Sequence, residues 1–492
     1  MIWTRDKRYQ PYSAYSEKDK ENLADQVSSS VYKPAFHIHP TSGLLNDPNG
    51  FSYFNGQWHV FYQAFPFGAV HGLKSWVHCV SDDLVHWHNL GIALKPGDQY
   101  DSYGAYSGSA HVINDKLFLM YTGNVRDKDW QRRSYQLGAW MDANNQITKV
   151  NEPLIAAPDY VTEHFRDPQL LKVNDEYFAL IGAQDKQNLR GEFSLYKTQN
   201  LKDWEDMGYI KHNLGDMGYM VECPNLVYVD DKPVLIFCPQ GLPQNILPTE
   251  NIYPNVYTVG RNLDFKTGTW YSDTSTLMQL DAGFDVYASQ AFNAPDGQAY
   301  LISWVGLPEI NYPSDRENWA HCLSLVKRLK VVDNKLYQIP VTAMSTLTVA
   351  EQTLPQNQQV LVTDTKQQYE LKLDLAPNQK GNLLLASDGT SDHGLQLRFD
   401  TNNDGYLIVD RSNVGEKFAT KYGETRKVNF DPHKKLSLDI FVDHSICEIF
   451  INGGEQVMTL RFFAPQTQTM IAFSEQNTLK YSGSYILLND MG

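Results

Sequence analysis

The sequence predicts an all-β chain, a five-bladed β-propeller followed by a C-terminal β-sandwich, and three observations carry that prediction. Five strand–turn–strand units follow one another, each built around a polar turn pair between apolar runs: Asn55-Gly56, Asn114-Asp115, Asn174-Asp175, Asp230-Asp231 and Asp296-Gly297. Such pairs are the strongest short-range hairpin signal, and these recur every 56 to 66 residues, a period that suits the blades of a propeller. A second marker, Asp83-Leu84-Val85-His86-Trp87 ending at Gly91, returns at identical spacing as Asn200-Leu201-Lys202-Asp203-Trp204 ending at Gly208. After Thr348 the pattern changes to short alternating strands divided by Asp388-Gly389, Asp404-Gly405 and Asn452-Gly453, as in a sandwich.

Residues 1–33 read as a charged N-terminal extension in which Ser16 caps a short helix running to Asp25. The propeller spans 34–347, and closing it requires an early strand to pair with a late one. Residues 348–360, with Gln352, Gln356, Gln358 and Gln359, are expected as a linker. Within 361–492 the runs 369–373, 395–399 and 436–442 alternate apolar and polar residues, as strands with one buried face do.

Composition excludes several classes of function. A formal charge of −15 and a pI near 5.4 argue against nucleic-acid and anionic-membrane partners. No apolar run follows the charges of the first eight residues and no stretch of eighteen apolar residues occurs, so a cytoplasmic protein is expected. The five cysteines, Cys79, Cys223, Cys238, Cys322 and Cys447, are far apart and read as free thiols. Cys223 adjoins Glu222 without a visible histidine partner and reads as a packing residue rather than a nucleophile. His37 and His39, and His86 and His88, share strand faces but lack a third ligand, so neither metal nor cofactor is expected. Oligomeric state leaves no mark on the sequence.

Three units open with an acid one or two residues before a proline: Asn46-Asp47-Pro48, Arg166-Asp167-Pro168 and Glu222-Cys223-Pro224. One Asp before Pro is ordinary turn chemistry, but three acids in register across a repeat ask for another explanation. If each opening strand is innermost in its blade, its start lies at one mouth of the channel, where Asp47, Asp167 and Glu222 converge. Antiparallel return brings Gln63 and Trp304 to the same mouth. An acid-lined funnel with amide and aromatic groups suits a sugar. Glycosidic cleavage needs one ionised carboxylate to attack the anomeric carbon and a second carboxyl of raised pKa to protonate the departing oxygen. Asp47, beside Asn46 and the turn amides, is expected to stay ionised. Glu222, desolvated and near two aspartates, is expected to hold its proton, and Arg166 to keep Asp167 charged for hydrogen bonds to sugar hydroxyls.

Read in order, Leu44-Leu45-Asn46-Asp47-Pro48-Asn49-Gly50, Tyr106-Ser107-Gly108-Ser109, Arg166-Asp167-Pro168 and Glu222-Cys223-Pro224-Asn225 resemble the signatures of glycoside hydrolase family 32, the invertase and fructan hydrolase family, over essentially the whole chain. The resemblance implies a retaining β-fructofuranosidase with Asp47 as nucleophile, Glu222 as acid/base and Asp167 as stabiliser of the transition state. It places Leu44, Leu45, Asn46, Gln63, Trp76, Tyr106, Ser107, Arg166, Cys223, Tyr287 and Trp304 around a small fructoside substrate. Leu44-Leu45 stands where the family often has Trp-Met, and Val326-Lys327-Arg328 where it often has Pro-Arg. The Leu-Leu form, the leader Trp3-Thr4-Arg5 and the segment 121–127 resemble the bacterial sucrose-6-phosphate hydrolase branch.

A phosphorylated substrate calls for cations. Those on offer are His71 and Lys74 after Gln63, and Arg126, Arg132 and Arg133 after the second hairpin; the expected phosphate contacts are His71, Lys74, Arg126 and Arg133. Sucrose 6-phosphate, sucrose or both are thus the expected substrates. An exo-acting hydrolase of short fructans is the alternative within enzymes. A non-catalytic fructoside-binding propeller is the alternative outside them, and the presence of all three acids speaks against it.

Overall fold

The computed structural model describes residues 2–247, 249–390, 392–402, 404–475 and 479–491. Its regular structure is almost entirely β, and the five expected hairpins all form. Asn55 and Gly56 turn with φ of 50° and 81°, and Asp230 and Asp231 with 48° and 63°. Two successive positive φ values define the type I′ turn, whose twist matches that of paired strands and which Asn, Asp and Gly adopt at least cost.

The opening strands of the hairpins are Gly43–Phe54, Ala105–Ile113, Val161–Val173, Met220–Val229 and Val286–Asn293, each in its own sheet of four or five strands. Each contacts the next in that order, and the last contacts the first. Gly43 and Leu44 also pair in parallel with Trp319 and Ala320, which joins an early strand to a late one. The recurring Asp83 and Asn200 markers are one device used twice. Asp83 Oδ1 accepts the N–H groups of Val85 and His86 at 2.9 and 2.8 Å, and Asn200 Oδ1 those of Lys202 and Asp203, both at 2.9 Å. Each side chain thereby stands in for a backbone acceptor and closes the turn between the third and fourth strands of its sheet.

Two six-stranded antiparallel sheets form the C-terminal part. Leu371, Leu373, Ile440 and Ile449 from one and Leu383, Leu397, Leu407 and Phe473 from the other share one core, so the sheets pack face to face. The stretch expected as a linker is partly strand: Thr348–Thr353 pairs with Tyr481–Leu488 at a sheet edge. All six residues are exposed, so the strand carries no burial pattern to distinguish it from a linker. At the N-terminus the helix Glu17–Ser28 is closed by a capping box between Ser16 and Asp19.

A buried polar network ties the two parts together. The Asp443 carboxylate accepts the backbone N–H groups of Ala35, Phe36 and His37. The His37 ring spans Asp443, at 2.8 Å, and Glu448, at 3.1 Å, while Lys327 meets Glu448 at 2.8 Å.

Candidate active site

Each opening strand breaks its ladder at the same point. Register is lost between Leu45 and Pro48, Ala105 and Gly108, Arg166 and Gln169, Glu222 and Asn225, and Tyr287 and Gln290. The residues skipped are Asn46-Asp47, Tyr106-Ser107, Asp167-Pro168, Cys223-Pro224 and Ala288-Ser289. Such a bulge bends the strand and re-aims a side chain off the regular alternation. Asp167, Cys223 and Ala288 sit at φ of 66°, 48° and 45°, a strained choice for residues with a Cβ and one that gathers at functional sites.

The bulges bring the acids together. Asn46 Nδ2 donates to Asp47 Oδ1 at 2.9 Å and to Gln63 Oε1 at 3.0 Å, and the Ser107 hydroxyl donates to Asp47 Oδ2. Lys74 Nζ holds Asn46 Oδ1 from behind at 2.5 Å. The Cys223 N–H donates to Asp167 Oδ2 at 3.0 Å, and its thiol lies 3.7 Å from Oδ2 of both Asp167 and Asp47. Glu222, next in sequence, accepts at Oε1 from Arg166 Nε and Nη2, at 2.9 and 2.7 Å, and at Oε2 from the Tyr287 hydroxyl at 2.6 Å.

Electrostatics differ from group to group. Burial raises the Asp47 pKa, Ser107 and Asn46 work against the rise, and Glu222 adds to it. Burial likewise pushes Asp167 up to about 7, against the pull of Arg166 and with the push of Glu222 and Asp47. The expectation that Arg166 keeps Asp167 charged is therefore corrected. Arg166 pairs in register with Gly182 and turns its guanidinium to Glu222, whereas the bulge rotates Asp167 toward the Cys223 amide. Glu222 thus has a cation on one oxygen and a phenol on the other, where the sequence suggested only desolvation and like charge. Burial, then Asp167 and Asp47, hold the Cys223 thiol well above its usual range, so it stays protonated and is no nucleophile.

The chain as a whole matches known proteins. Residues 37–340 match the model for the glycosyl hydrolases family 32 N-terminal domain, and 337–485 that for the family's C-terminal domain. The chain belongs to glycosyl hydrolase family 32. A sucrose-6-phosphate hydrolase of Pediococcus pentosaceus is 49% identical, the alignment covering 96% of this chain and 94% of that one. The structure of sucrose-6-phosphate hydrolase from Lactobacillus gasseri is 49% identical, with a TM-score of 0.97 over 100% of both chains. A mutant of the Bombyx mori family 32 β-fructofuranosidase in complex with sucrose is 29% identical, with a TM-score of 0.81 over 98% of this chain and 99% of that one.

Within this family 32 site, the expected residues separate into two groups. Asn46, Gln63, Ser107, Arg166, Cys223 and Tyr287 touch the acids directly. Leu45 and Trp76 are fully enclosed and Leu44 nearly so. Leu45 joins the core beneath the pocket, and Trp76 acts at one remove, donating Nε1 to the Tyr106 carbonyl at 3.0 Å. Trp304 is buried among Tyr287, His321 and His71.

Among the phosphate candidates, three are corrected. Lys74 is buried, is spent on Asn46, and has its pKa brought down to about 7 by burial. Burial, with Lys74 and His321 nearby, drives His71 well below its usual value, so it is neutral. Arg133 is exposed on the strand face opposite Arg132. Arg126 and Arg132 face each other across the strand pair, with the guanidinium carbon of Arg132 5.8 Å from the centroid of the Tyr106 ring. Strand alternation is the signal that could have chosen Arg132, because it lies directly opposite Arg126. Among the described residues no group of three or more His, Cys, Asp or Glu side chains is placed to hold a metal.

Proposed function

We propose that this family 32 protein is a retaining β-fructofuranosidase that hydrolyses sucrose 6-phosphate in the cytoplasm, with sucrose as a poorer substrate. The observation that carries the reading is that Asp47 and Asp167 meet at Cys223, with Glu222 close enough to act on both electrostatically. The 49% identity to a protein named sucrose-6-phosphate hydrolase, over nearly the full length, supports the substrate. The closed ring of contacts among the opening strands supports a five-bladed propeller, with residues 34–347 as the catalytic unit.

The chemistry follows from the surroundings of each acid. Asp47, oriented by Asn46 and Ser107, attacks the anomeric carbon of the fructosyl unit as Glu222 gives a proton to the departing glucosyl oxygen. A fructosyl ester on Asp47 results. Glu222, now a base, takes a proton from water, which attacks the same carbon and frees Asp47. Arg166 and Tyr287 hold the Glu222 carboxylate in place through both steps. Asp167 accepts hydrogen bonds from fructosyl hydroxyls and, when ionised, favours the positive charge that develops on the ring.

The fructan-hydrolase reading shares all of these residues and differs only in what lies beyond the fructosyl unit. Comparing kcat/KM for sucrose 6-phosphate, sucrose and a short inulin-type oligomer tests the proposal. The highest value should belong to sucrose 6-phosphate; a highest value for the oligomer would transfer the assignment to a fructan hydrolase.

A further inference from the structure

We propose that Arg5 of the N-terminal leader joins Arg126 and Arg132 in an anion subsite that takes the 6-phosphate of the leaving glucosyl group. The inference deepens the proposed function and rests on it for the identity of the substrate.

The leader is packed onto the first sheet and the loop that follows its second strand. Trp3 meets the Phe65 ring edge-on at 5.3 Å and fills the space where a side chain on Gly68 would go. The Arg8 carbonyl accepts the Leu73 N–H at 2.8 Å, and the Tyr12 hydroxyl donates to the Leu73 carbonyl at 2.7 Å. This anchoring delivers Arg5 to Trp130, with its guanidinium carbon 4.5 Å from the indole centroid. Arg126 reaches the same indole at 5.5 Å and donates Nη1 to the Trp130 carbonyl at 3.0 Å. Trp130 is held at φ of 65°, a conformation rarely adopted by a residue of its size, and its ring packs edge-on to Tyr9 at 5.3 Å.

Arg132 continues the cluster toward the acids. It lies opposite Arg126 in the strand pair, over Tyr106, and within electrostatic range of both Glu222 and Arg166. The cluster therefore adjoins the residue that protonates the leaving group, which is the side where the glucosyl phosphate must lie. Arg5, Arg126 and Arg132 form no ion pair among the described residues. The buried Nε atoms of Arg126 and Arg132 also lack hydrogen-bond partners. The nearby Asp127 turns Oδ1 to its own loop, accepting the N–H groups of Asp129 and Gln131. Gathering unpaired guanidinium groups carries a repulsive cost that a neutral sugar does not relieve and a phosphate dianion does. In a chain of net charge −15 an anionic substrate also needs such a local reversal of sign.

The test measures kcat/KM for sucrose 6-phosphate and for sucrose, with inhibition by glucose 6-phosphate, in the wild type and in Arg5→Gln, Arg132→Gln and Arg133→Gln. Arg5 is exposed, so its replacement tests the site even where Arg132→Gln folds poorly. In Arg5→Gln and Arg132→Gln the preference for sucrose 6-phosphate should fall about 10-fold or more, the worth of a hydrogen bond to a charged group. Inhibition by glucose 6-phosphate should weaken in parallel, and Arg133→Gln should change neither. A wild-type preference for sucrose 6-phosphate that survives in both Arg5→Gln and Arg132→Gln overturns the subsite and leaves the proposed function standing. No preference in the wild type overturns both.

Discussion

Arg166 sets Nε and Nη2 on one oxygen of Glu222, at 2.9 and 2.7 Å, and leaves the adjacent Asp167 to the backbone amide of Cys223. One cation thus serves the acid 56 residues away in sequence rather than its neighbour. A planar fork of donors fixes the carboxylate in angle as well as position, which a lysine cannot do. Arg166→Lys should lower kcat on the order of 10²-fold, the scale of a lost preorganised contact, and Arg166→Leu should lower it further. Arg166→Leu should also destabilise the fold by about 3 kcal/mol, because it strands a partly buried carboxylate without its partner. Steady-state kinetics and denaturant unfolding check the two effects separately.

The acid side of the pH profile reports the buried aspartates. Burial raises the pKa of Asp47 and takes Asp167 to about 7, so both are protonated more readily than ordinary carboxylates as pH falls. The acidic limb of kcat/KM should therefore lie above the ordinary carboxylate range of about 4. The Ser107 hydroxyl stabilises ionised Asp47. Ser107→Ala should consequently move that limb to still higher pH and lower activity most at acidic pH. An unmoved limb would show that Asp47 does not set it.

Asp167 sets stability against function. A carboxyl whose pKa rises from 3.8 in the unfolded chain to about 7 in the fold binds more protons folded than unfolded between those values, so stability falls as pH rises through that window. Asp167→Asn removes the ionisation. The variant should gain thermal stability over the wild type progressively from about pH 4 to pH 7 and keep the gain above it, while losing most activity. Thermal midpoints across that range check the sign; a variant less stable than the wild type at pH 8 would contradict it.

Some of this site was legible in the sequence, and physical locality decides which parts. The turn pairs and the Asp83 and Asn200 markers involve contacts within a few residues, so their side chains announce them. That Asp47, Asp167 and Glu222 each open a strand–turn–strand unit was legible because the unit repeats. The five bulges have no residue signature of their own: Asp167-Pro168 and Ala288-Ser289 break register alike with different chemistry. Hidden with them was the direction of Arg166, which depends on where register is lost. Lys74 reads as a loop cation and is buried behind Asn46, since its burial comes from strands far away in sequence. The exposed edge strand Thr348–Thr353 offers a pattern no different from that of a linker.

The network joining the two parts should fail in acid. Burial disfavours the charged form of Glu448, but Lys327 and His37 outweigh it and hold its carboxyl at about 2. Burial works against ionised Asp443 too, and His37 again overcomes it, so this pKa is lowered as well. Depressed carboxylates contribute stability above their unfolded values that is lost as pH falls toward the folded ones. The wild type should therefore lose stability steeply from about pH 4.5 toward pH 2. Glu448→Gln should be less stable by about 3 kcal/mol at pH 7, because Lys327 is left without its partner, and should lose less on acidification. Thermal unfolding at a series of pH values measures both.

In the proposed reaction Asp47 carries the fructosyl unit while Glu222 handles the proton. Glu222→Ala supplied with β-fructosyl fluoride, whose leaving group needs no protonation, should form the ester and then stall without its base. Intact-protein mass spectrometry of that mixture should show a gain of one anhydrofructosyl unit, and peptide mapping should put it on the segment that holds Asp47. An adduct on another residue, or turnover of the fluoride to α-fructose with no adduct, would exclude Asp47 as the nucleophile.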